Sequence, residues 1–199
     1  MQAITAENLQ SFLDAHGPIR EYVYRDYFTQ FADFAEQCFF SNNKEYVVPE
    51  HEAAFIENVL NPSGPRLINR VAARRVGTTT LLYMLCAYLN VVEDKRCWFV
   101  SSGTMPKKHF IQSASNIFIA PYGYALPQKS GDYLKIHPSK KYIRCGIESS
   151  IVTSLRSHSV DYIFFDRNII THEPLSDEIL VNVYPHLSRE GKVIISNGP

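Results

Sequence analysis

The sequence predicts an α/β fold in which a mostly parallel sheet is flanked by helices on both faces. Short apolar runs rich in β-favouring residues alternate along the chain with segments whose apolar residues recur every three or four positions. Such an alternation is typical of a parallel sheet with its connecting helices packed on the two faces. The 199 residues, 45% hydrophobic and 20% charged, are enough for one well-buried domain and few for two.

Turn residues and apolar spacing place the individual elements. Gly17-Pro18 ends a first helix, and Asn42-Asn43 with Pro49 ends a longer one. The predicted helices are residues 5–15, 19–40, 50–60, 78–89, 106–119 and 176–187. The predicted strands are residues 67–71, 96–101, 133–137, 142–146, 160–166 and 191–196, with a β-hairpin around Pro138. We expect a helical N-terminal extension (residues 1–47) and a core (residues 48–199) that together form one compact unit.

The stretch from Arg70 to Thr80, RVAARRVGTTT, has the layout of a phosphate-binding loop. An apolar strand leads into a short loop with one glycine, Gly77, and three threonines then begin a strongly apolar helix. In this layout, backbone N–H groups and the N-terminus of the helix face an anion. The lysine that such a loop carries after its last glycine is missing, because Thr78 stands there.

The patterns of charge, hydropathy and cysteine exclude several classes of protein. Lys+Arg and Asp+Glu number 20 each, so binding to nucleic acid would need a local basic patch. The longest apolar run is too short to span a bilayer and no secretory signal is present, so we expect an intracellular, non-secreted protein. No cysteine or histidine spacing is typical of a metal site. Four widely separated cysteines are expected to be buried free thiols: Cys38, Cys86, Cys97 and Cys145.

Polar residues stand at the predicted carboxyl ends of three strands. They are Arg75–Thr80, Asp166 and Ser196–Gly198. Parallel α/β sheets bind ligands at this edge, which makes it the candidate site. Alone, an aspartate after a buried strand often just caps a turn, and Ser196–Gly198 is a turn. Asp166 and Ser196–Gly198 become evidence for a binding site only because they are predicted to lie at the same edge as the phosphate-binding layout.

These segments together resemble the N-terminal ATPase domain of the large terminase subunit, the DNA-packaging motor of tailed phages and herpesvirus-like viruses. Ala73-Arg-Arg-Val-Gly-Thr-Thr-Thr80 is similar to that family's phosphate loop, S-R-x-x-G-K-T-T. Asp161-Tyr-Ile-Phe-Phe-Asp-Arg167 resembles the acidic motif, and Tyr142–Arg156 resembles the strand and polar turn before it. Lys192–Pro199 resembles the following strand and coupling motif. The resemblance covers roughly residues 45–199 and implies a P-loop NTPase-like fold.

The resemblance also implies a site for ATP and Mg²⁺. Thr79 and Asp166 take the positions of the hydroxyl and the carboxylate that support Mg²⁺. Arg74 matches an arginine near the γ-phosphate and is the candidate catalytic residue. The implied nucleotide-binding residues are Arg74, Arg75, Gly77, Thr78, Thr79 and Thr80. The implied coupling motif is Ser196, Asn197 and Gly198.

Three departures from the family pattern fall on the chemistry. Thr78 replaces the lysine, Arg167 replaces the catalytic glutamate, and Glu52 stands where the family has a glutamine that reads adenine. Thr78 removes a positive charge, and an arginine cannot act as the base. The three changes together predict weak or lost hydrolysis. Glu173 lies beyond the strand end and is a poor substitute for the missing glutamate.

An arginine near the loop could compensate for the missing lysine. Arg70, Arg74 and Arg75 surround the place where some relatives carry their lysine, and a guanidinium can bind phosphate oxygens bidentately. The alternative is that these arginines pair with acids at the surface.

Two small basic clusters are candidates for contact with double-stranded DNA, with a solvated face as the alternative. They comprise Lys107, Lys108, Lys140, Lys141 and Arg144.

Three functions stay open from the sequence. The first is a degenerate terminase-type domain with a binding or assembly role among packaging proteins or at a portal-like assembly. The second is a working ATPase motor in which arginine replaces lysine, and the third is a protein-interaction module that reuses the scaffold. No nuclease domain follows the coupling motif, so we expect either an excised domain or a stand-alone relative.

Overall fold

The computed structural model describes residues 26–38, 40–41, 44–45, 47–71, 78–101, 133–135, 141–155, 159–167 and 175–197. The α-helices are α1 (Tyr27–Cys38), α2 (Ala53–Leu60), α3 (Thr78–Val91), α4 (Ile151–Leu155) and α5 (Asp177–Val183). Single 3₁₀ turns occupy Glu50–Glu52, Glu148–Ser150 and Tyr184–His186. The strands are β1 (Phe40–Ser41), β2 (Lys44–Glu45), β3 (Leu67–Val71), β4 (Cys97–Ser101), β5 (Tyr133–Lys135), β6 (Tyr142–Ile147), β7 (Val160–Arg167) and β8 (Leu187–Asn197). The helices predicted at residues 5–15 and 106–119 lie outside the described residues.

Six of the strands form one sheet in the order β3-β8-β7-β4-β6-β5. All neighbouring strands run parallel except β5, which is antiparallel to β6. The predicted α/β class with a mostly parallel sheet is confirmed, and the β5–β6 pair is the predicted hairpin. Strand β8, the last described strand in the sequence, lies between β3 and β7. The strand before the phosphate-loop segment is therefore one strand away from the strand that carries Asp166.

Helix α3 is the buried centre of the fold. Every residue from Leu81 to Val91 is buried, and a helix that is apolar on all sides needs partners all round. Tyr83 meets Phe99 of β4 edge-on, with ring centroids 5.0 Å apart. On the other side of α3, the Tyr88 ring contacts the rings of Phe31 and Phe34 of α1, with ring centroids 5.6 and 5.3 Å apart. This packing between sheet and α1 fixes the first turn of α3 at the edge of the sheet.

The opposite face of the sheet carries a second apolar cluster under α4 and α5. Ile151 and Leu155 of α4 are one helical turn apart and fully buried there, together with Val183 of α5. The sequence predicted only a strand and a polar turn before residue 156, so the short helix α4 was missed. Its single apolar pair is too short a pattern to distinguish a helix from a turn.

Three of the four cysteines bear out the expected buried free thiols: Cys86, Cys97 and Cys145. Among the described residues, no helix has the length and apolar character needed to cross a membrane.

The buried amine of Lys192 joins β8 to the end of α2. Lys192 is fully buried, and its Nζ donates hydrogen bonds to the backbone carbonyls of Asn58, at 2.6 Å, and of Asn61. A cation suits the C-terminus of a helix, where carbonyl groups lack intrahelical partners. Burial lowers the pKa of Lys192 to about 8. Gly64 closes this cradle, because a Cβ there would lie 2.9 Å from both Lys192 Nζ and the Asn58 carbonyl oxygen.

Gly64→Ala is expected to destabilise the protein by about 1–3 kcal/mol, since the added methyl group displaces the ammonium group or the helix end. Chemical denaturation measures the free energy of unfolding. Gly146→Ala is the matched control, because a Cβ at Gly146 meets nothing within 4 Å. Equal stabilities of the two variants would contradict the role of Gly64 in closing the cradle.

Candidate functional site

Four polar side chains form one row across the carboxyl edge of the sheet. Arg70 of β3 is in register with Ser196 of β8, Ser196 with Asp166 of β7, and Asp166 with Ser101 of β4. Residues in register on neighbouring strands share a face. The residues two positions earlier on the same strands belong to the apolar cluster that contains α3: Ile68, Ile194, Phe164 and Phe99. The polar row therefore lies on the α3 face, with Ser196, Asp166 and Ser101 all buried.

The start of α3 meets this row at Asp166. The hydroxyl of Thr79, in the first turn of α3, donates a hydrogen bond of 3.0 Å to Asp166 Oδ2. These residues are 87 positions apart in the sequence. The structure thus brings together the two residues predicted to support Mg²⁺.

Asp166 lies in surroundings that disfavour its charge. Its exposed fraction is 4%. Burial raises the pKa of Asp166 above its ordinary value of 3.8, and the hydrogen bond from Thr79 offsets only part of that rise. A carboxylate with a raised pKa at a ligand-binding edge is typical of a functional site.

Asp166→Asn is expected to stabilise the protein at neutral pH. The folded state binds a proton at Asp166 more tightly than the unfolded state, so ionisation of this side chain favours unfolding above its folded pKa. The advantage of the variant should shrink as the pH falls and vanish below about 3.8, where aspartate is neutral in both states. Thermal unfolding of Asp166→Asn and of the wild type, from neutral pH to below about 3.8, measures this difference in stability.

Asp161→Asn is the matched control on the same strand. Burial would raise the pKa of Asp161, but hydrogen bonds from Arg96 prevail and lower it. This variant should therefore be less stable than the wild type at neutral pH, with the difference lost in acid. An Asp166→Asn variant that is less stable at pH 7 would contradict the account of Asp166.

The donor set at Asp166 fits Mg²⁺. A hydroxyl and a carboxylate are hard oxygen ligands, and neighbouring ligands in an octahedron with bonds of about 2.1 Å lie roughly 3 Å apart. Thr79 and Asp166 have that oxygen–oxygen spacing. Throughout the described ranges, no group of three or more histidine, cysteine or acidic side chains could hold a metal ion. Mg²⁺ usually takes one or two protein ligands and completes its shell with water and phosphate, so the fit stands.

Arg167, at the position of the family's glutamate, is engaged elsewhere. Its Nε donates a hydrogen bond of 3.1 Å to Glu148 Oε2, at the end of β6, and the two side chains are 10% and 21% exposed. Arg167 follows Asp166 directly and shares its face of β7 with Phe165 and Ile163, which pack in the cluster on the α4 and α5 face. The guanidinium is therefore held on the face opposite to Thr79.

Glu52, at the position of the adenine-reading glutamine, is also paired. Arg70 Nη2 donates a hydrogen bond to Glu52 Oε1, and the Arg70 guanidinium lies 4.9 Å from the centre of the Phe55 ring. The exposed fractions of the Arg70 and Glu52 side chains are 11% and 6%. Glu52 is thus a buried partner of Arg70.

The other predicted site residues are divided between described and undescribed parts of the chain. Thr78 begins α3 and Thr80 lies in its first turn, while Asn197 ends β8 beside Arg167. Arg74, Arg75, Gly77 and Gly198 lie outside the described residues, as does Glu173.

The basic residues proposed for DNA contact have protein partners where they are described. Lys141 pairs with Asp94 at 3.1 Å. The Arg144 guanidinium lies over Trp98, at 4.3 Å, and near Tyr133, at 5.3 Å from the ring centres. The remaining members of the two clusters lie outside the described residues: Lys107, Lys108 and Lys140.

Sequence reasoning missed two members of the site. Glu148 carries no motif, and only the pairing of β6 with β4 brings it near Arg167. Ser101 was noted as a strand end, but its place beside Asp166 depends on the order of the strands. A search for polar residues at the last position of every predicted strand and at the two positions after it would have found both.

The described residues form an α/β domain in which helices flank a mostly parallel six-stranded sheet, and this fold is like that of a solved phage protein. The solved structure of the HK97 bacteriophage large terminase superposes on it with a TM-score of 0.71 and 13% sequence identity, over 87% of this chain and 38% of that one. The predicted resemblance in fold is confirmed. This chain spans well under half the length of the HK97 protein.

Two further matches are weaker. A mutant ATPase domain of the Thermus phage P74-26 large terminase gives a TM-score of 0.49 at 11% identity, over 76% of this chain and 65% of that one. The bacteriophage phi29 genome packaging motor assembly gives 0.49 at 14% identity, over 66% and 43%. Neither a protein-family model nor a curated protein matches the sequence. Of these three structures, the HK97 large terminase alone has a TM-score above 0.5, and its likeness to this chain is one of fold.

Proposed function

We propose that this domain is a terminase-like module of viral DNA packaging that binds a Mg²⁺–nucleotide and acts through binding or assembly, with hydrolysis weak or lost. The observation that carries the proposal is the contrast between two adjacent residues. Asp166 faces the helix start and keeps its hydroxyl partner, Thr79, whereas Arg167 is paired with Glu148 on the other face.

The retained residues support binding. The N-terminus of α3 offers backbone N–H groups and a partial positive charge to a phosphate. Thr79 and Asp166 would hold Mg²⁺, which neutralises phosphate charge when it is bound. Asp166 would then release any proton it carries, because a cation nearby lowers the pKa that burial has raised.

The altered residues argue against turnover. Hydrolysis needs a group that orients or deprotonates the attacking water. Arg167 carries only hydrogen-bond donors and is already bound to Glu148. Thr78 offers no cation to the phosphates. We therefore propose that the domain binds the nucleotide and hydrolyses it weakly or not at all.

The partners that we propose are other packaging proteins, such as a portal-like assembly. DNA contact through β5 and β6 has less support. Lys141 and Arg144 are engaged within the chain, by Asp94 and by the Trp98 and Tyr133 rings.

A restoration experiment tests the proposal. Thr78→Lys and Arg167→Glu together return the two lost groups, and Glu148→Gln removes the carboxylate that would repel the new glutamate. The triple variant is expected to bind ATP at least as tightly as the wild type. Because the pair with Glu148 no longer holds residue 167 on the α4 and α5 face, the new glutamate can turn towards the strand edge, and phosphate release above the buffer rate is expected when Mg²⁺ is present. The same triple with Arg167→Gln is the control and should stay inactive. Turnover by the wild-type protein that Asp166→Ala abolishes would favour the working motor instead.

A further inference from the structure

Arg70 has a buried hydrogen-bond donor that it does not use. Its Nη2 donates to Glu52, but its Nη1 is buried and finds no acceptor in the part of the chain that the structure describes. An arginine beside a carboxylate commonly forms two parallel hydrogen bonds. Here the Glu52 carboxylate accepts a hydrogen bond from Nη2 of the guanidinium but not from Nη1.

An unused donor on a charged group is costly and needs an explanation. A buried donor without a partner destabilises the fold, and more so when the group is charged. The other atom in this condition, Asn90 Oδ1, lies near the far end of α3, where the same amide donates to Lys95 O. Only Arg70 belongs to the polar row.

The row places Arg70 close to the Mg²⁺ ligands. Arg70 and Asp166 are both in register with Ser196, so they lie two strands apart on the same face of the sheet. With strands about 4.8 Å apart, their backbones are separated by roughly 10 Å. The Arg70 guanidinium stands above the sheet beside Glu52 and Phe55, and a row of linked phosphates can span the distance from there towards Asp166.

We propose that Arg70 is the cation of the phosphate site, in place of the lysine missing at Thr78. In this arrangement Nη1 donates to a phosphate oxygen, and Glu52 is a positioning residue that holds the guanidinium through Nη2. Because Nη1 is buried, an anion binds it only after the side chains that cover this nitrogen move aside. The inference rests on the proposed function for its ligand class, and it adds the residue that binds the phosphate.

Titration calorimetry with Mg²⁺–ATP and with Mg²⁺–tripolyphosphate tests the role of Arg70. The double variant Glu52→Met/Arg70→Met removes both charges of the pair while keeping its apolar volume. It is expected to bind both probes about 10- to 100-fold more weakly, the loss expected for one charge-assisted hydrogen bond. Arg70→Lys keeps a cation beside Glu52 without the second donor, and should bind at least several-fold more weakly than wild type.

Arg66→Gln is the control arginine, since Arg66 lies just before β3 and donates to the carbonyls of Gly191 and Ser188. Its affinity for both probes should equal that of the wild type. Wild-type affinity in both Arg70 variants would overturn the role of Arg70 while leaving the proposed function intact. If the wild-type protein binds neither probe, the proposed function itself fails, and the role of Arg70 fails with it.

Discussion

Arg70→Met is expected to destabilise the protein by about 3–5 kcal/mol, because it leaves the buried carboxylate of Glu52 without its partner. Both side chains are about nine-tenths buried, and the guanidinium also covers the Phe55 ring. The exposed His51 ring, whose Nε2 lies 3.5 Å from the same Glu52 oxygen, is too far away for a normal hydrogen bond. Urea denaturation at neutral pH measures the free energy of unfolding.

Adding Glu52→Met to this variant should restore most of the lost stability. A buried ion pair is often replaced by apolar residues of similar volume at little cost, whereas removal of one partner is expensive. A double variant as unstable as Arg70→Met would show that the guanidinium stabilises the fold through some contact other than Glu52.

Arg167→Glu is expected to have the second largest effect, a loss of about 3 kcal/mol, since it replaces an ion pair with two neighbouring carboxylates. The pair of Arg167 with Glu148 joins the ends of β7 and β6 across the end of β4. Restoring the family's acid alone is therefore expected to fail for reasons of stability before chemistry is tested. Thermal or urea unfolding of the variant measures this loss.

The charge-swapped protein, Arg167→Glu with Glu148→Arg, separates pairing from other effects. It should recover most of the stability, and Glu148→Arg alone should be destabilised like Arg167→Glu. A double-mutant cycle with no coupling between the two positions would contradict the pair.

The sequence was sufficient for the sheet class and for the site's main contact. Apolar runs ending in Asp166 and Ser196 identify strand ends, and the run after Thr80 identifies a buried helix. Because all ligand-binding ends of parallel strands share one edge, Thr79 and Asp166 could be placed together without knowing the strand order.

The partners of the altered residues could not be predicted in this way. Glu148 meets Arg167 only because β4 lies between β6 and β7, and the order of strands leaves no local trace in the sequence. Likewise, Glu52 is 18 residues from Arg70, and a turn and a helix must fold back before the two meet. The altered residues Arg167 and Glu52 therefore predicted weak or lost hydrolysis from the sequence. The ion pairs that neutralise their charges depend on the tertiary fold.

A thermal-shift titration with ATP, with and without Mg²⁺, tests whether Thr79 and Asp166 hold a Mg²⁺–nucleotide. It compares the wild-type protein with Thr79→Val and is accompanied by an assay of phosphate release. A ligand that binds only the folded state at 100 times its Kd stabilises that state by about 2.7 kcal/mol. We expect a Mg²⁺-dependent rise in Tm that is lost in Thr79→Val, with phosphate release at or little above the buffer rate. No rise in Tm, or an equal rise in Thr79→Val, would contradict the binding of a Mg²⁺–nucleotide at Thr79 and Asp166.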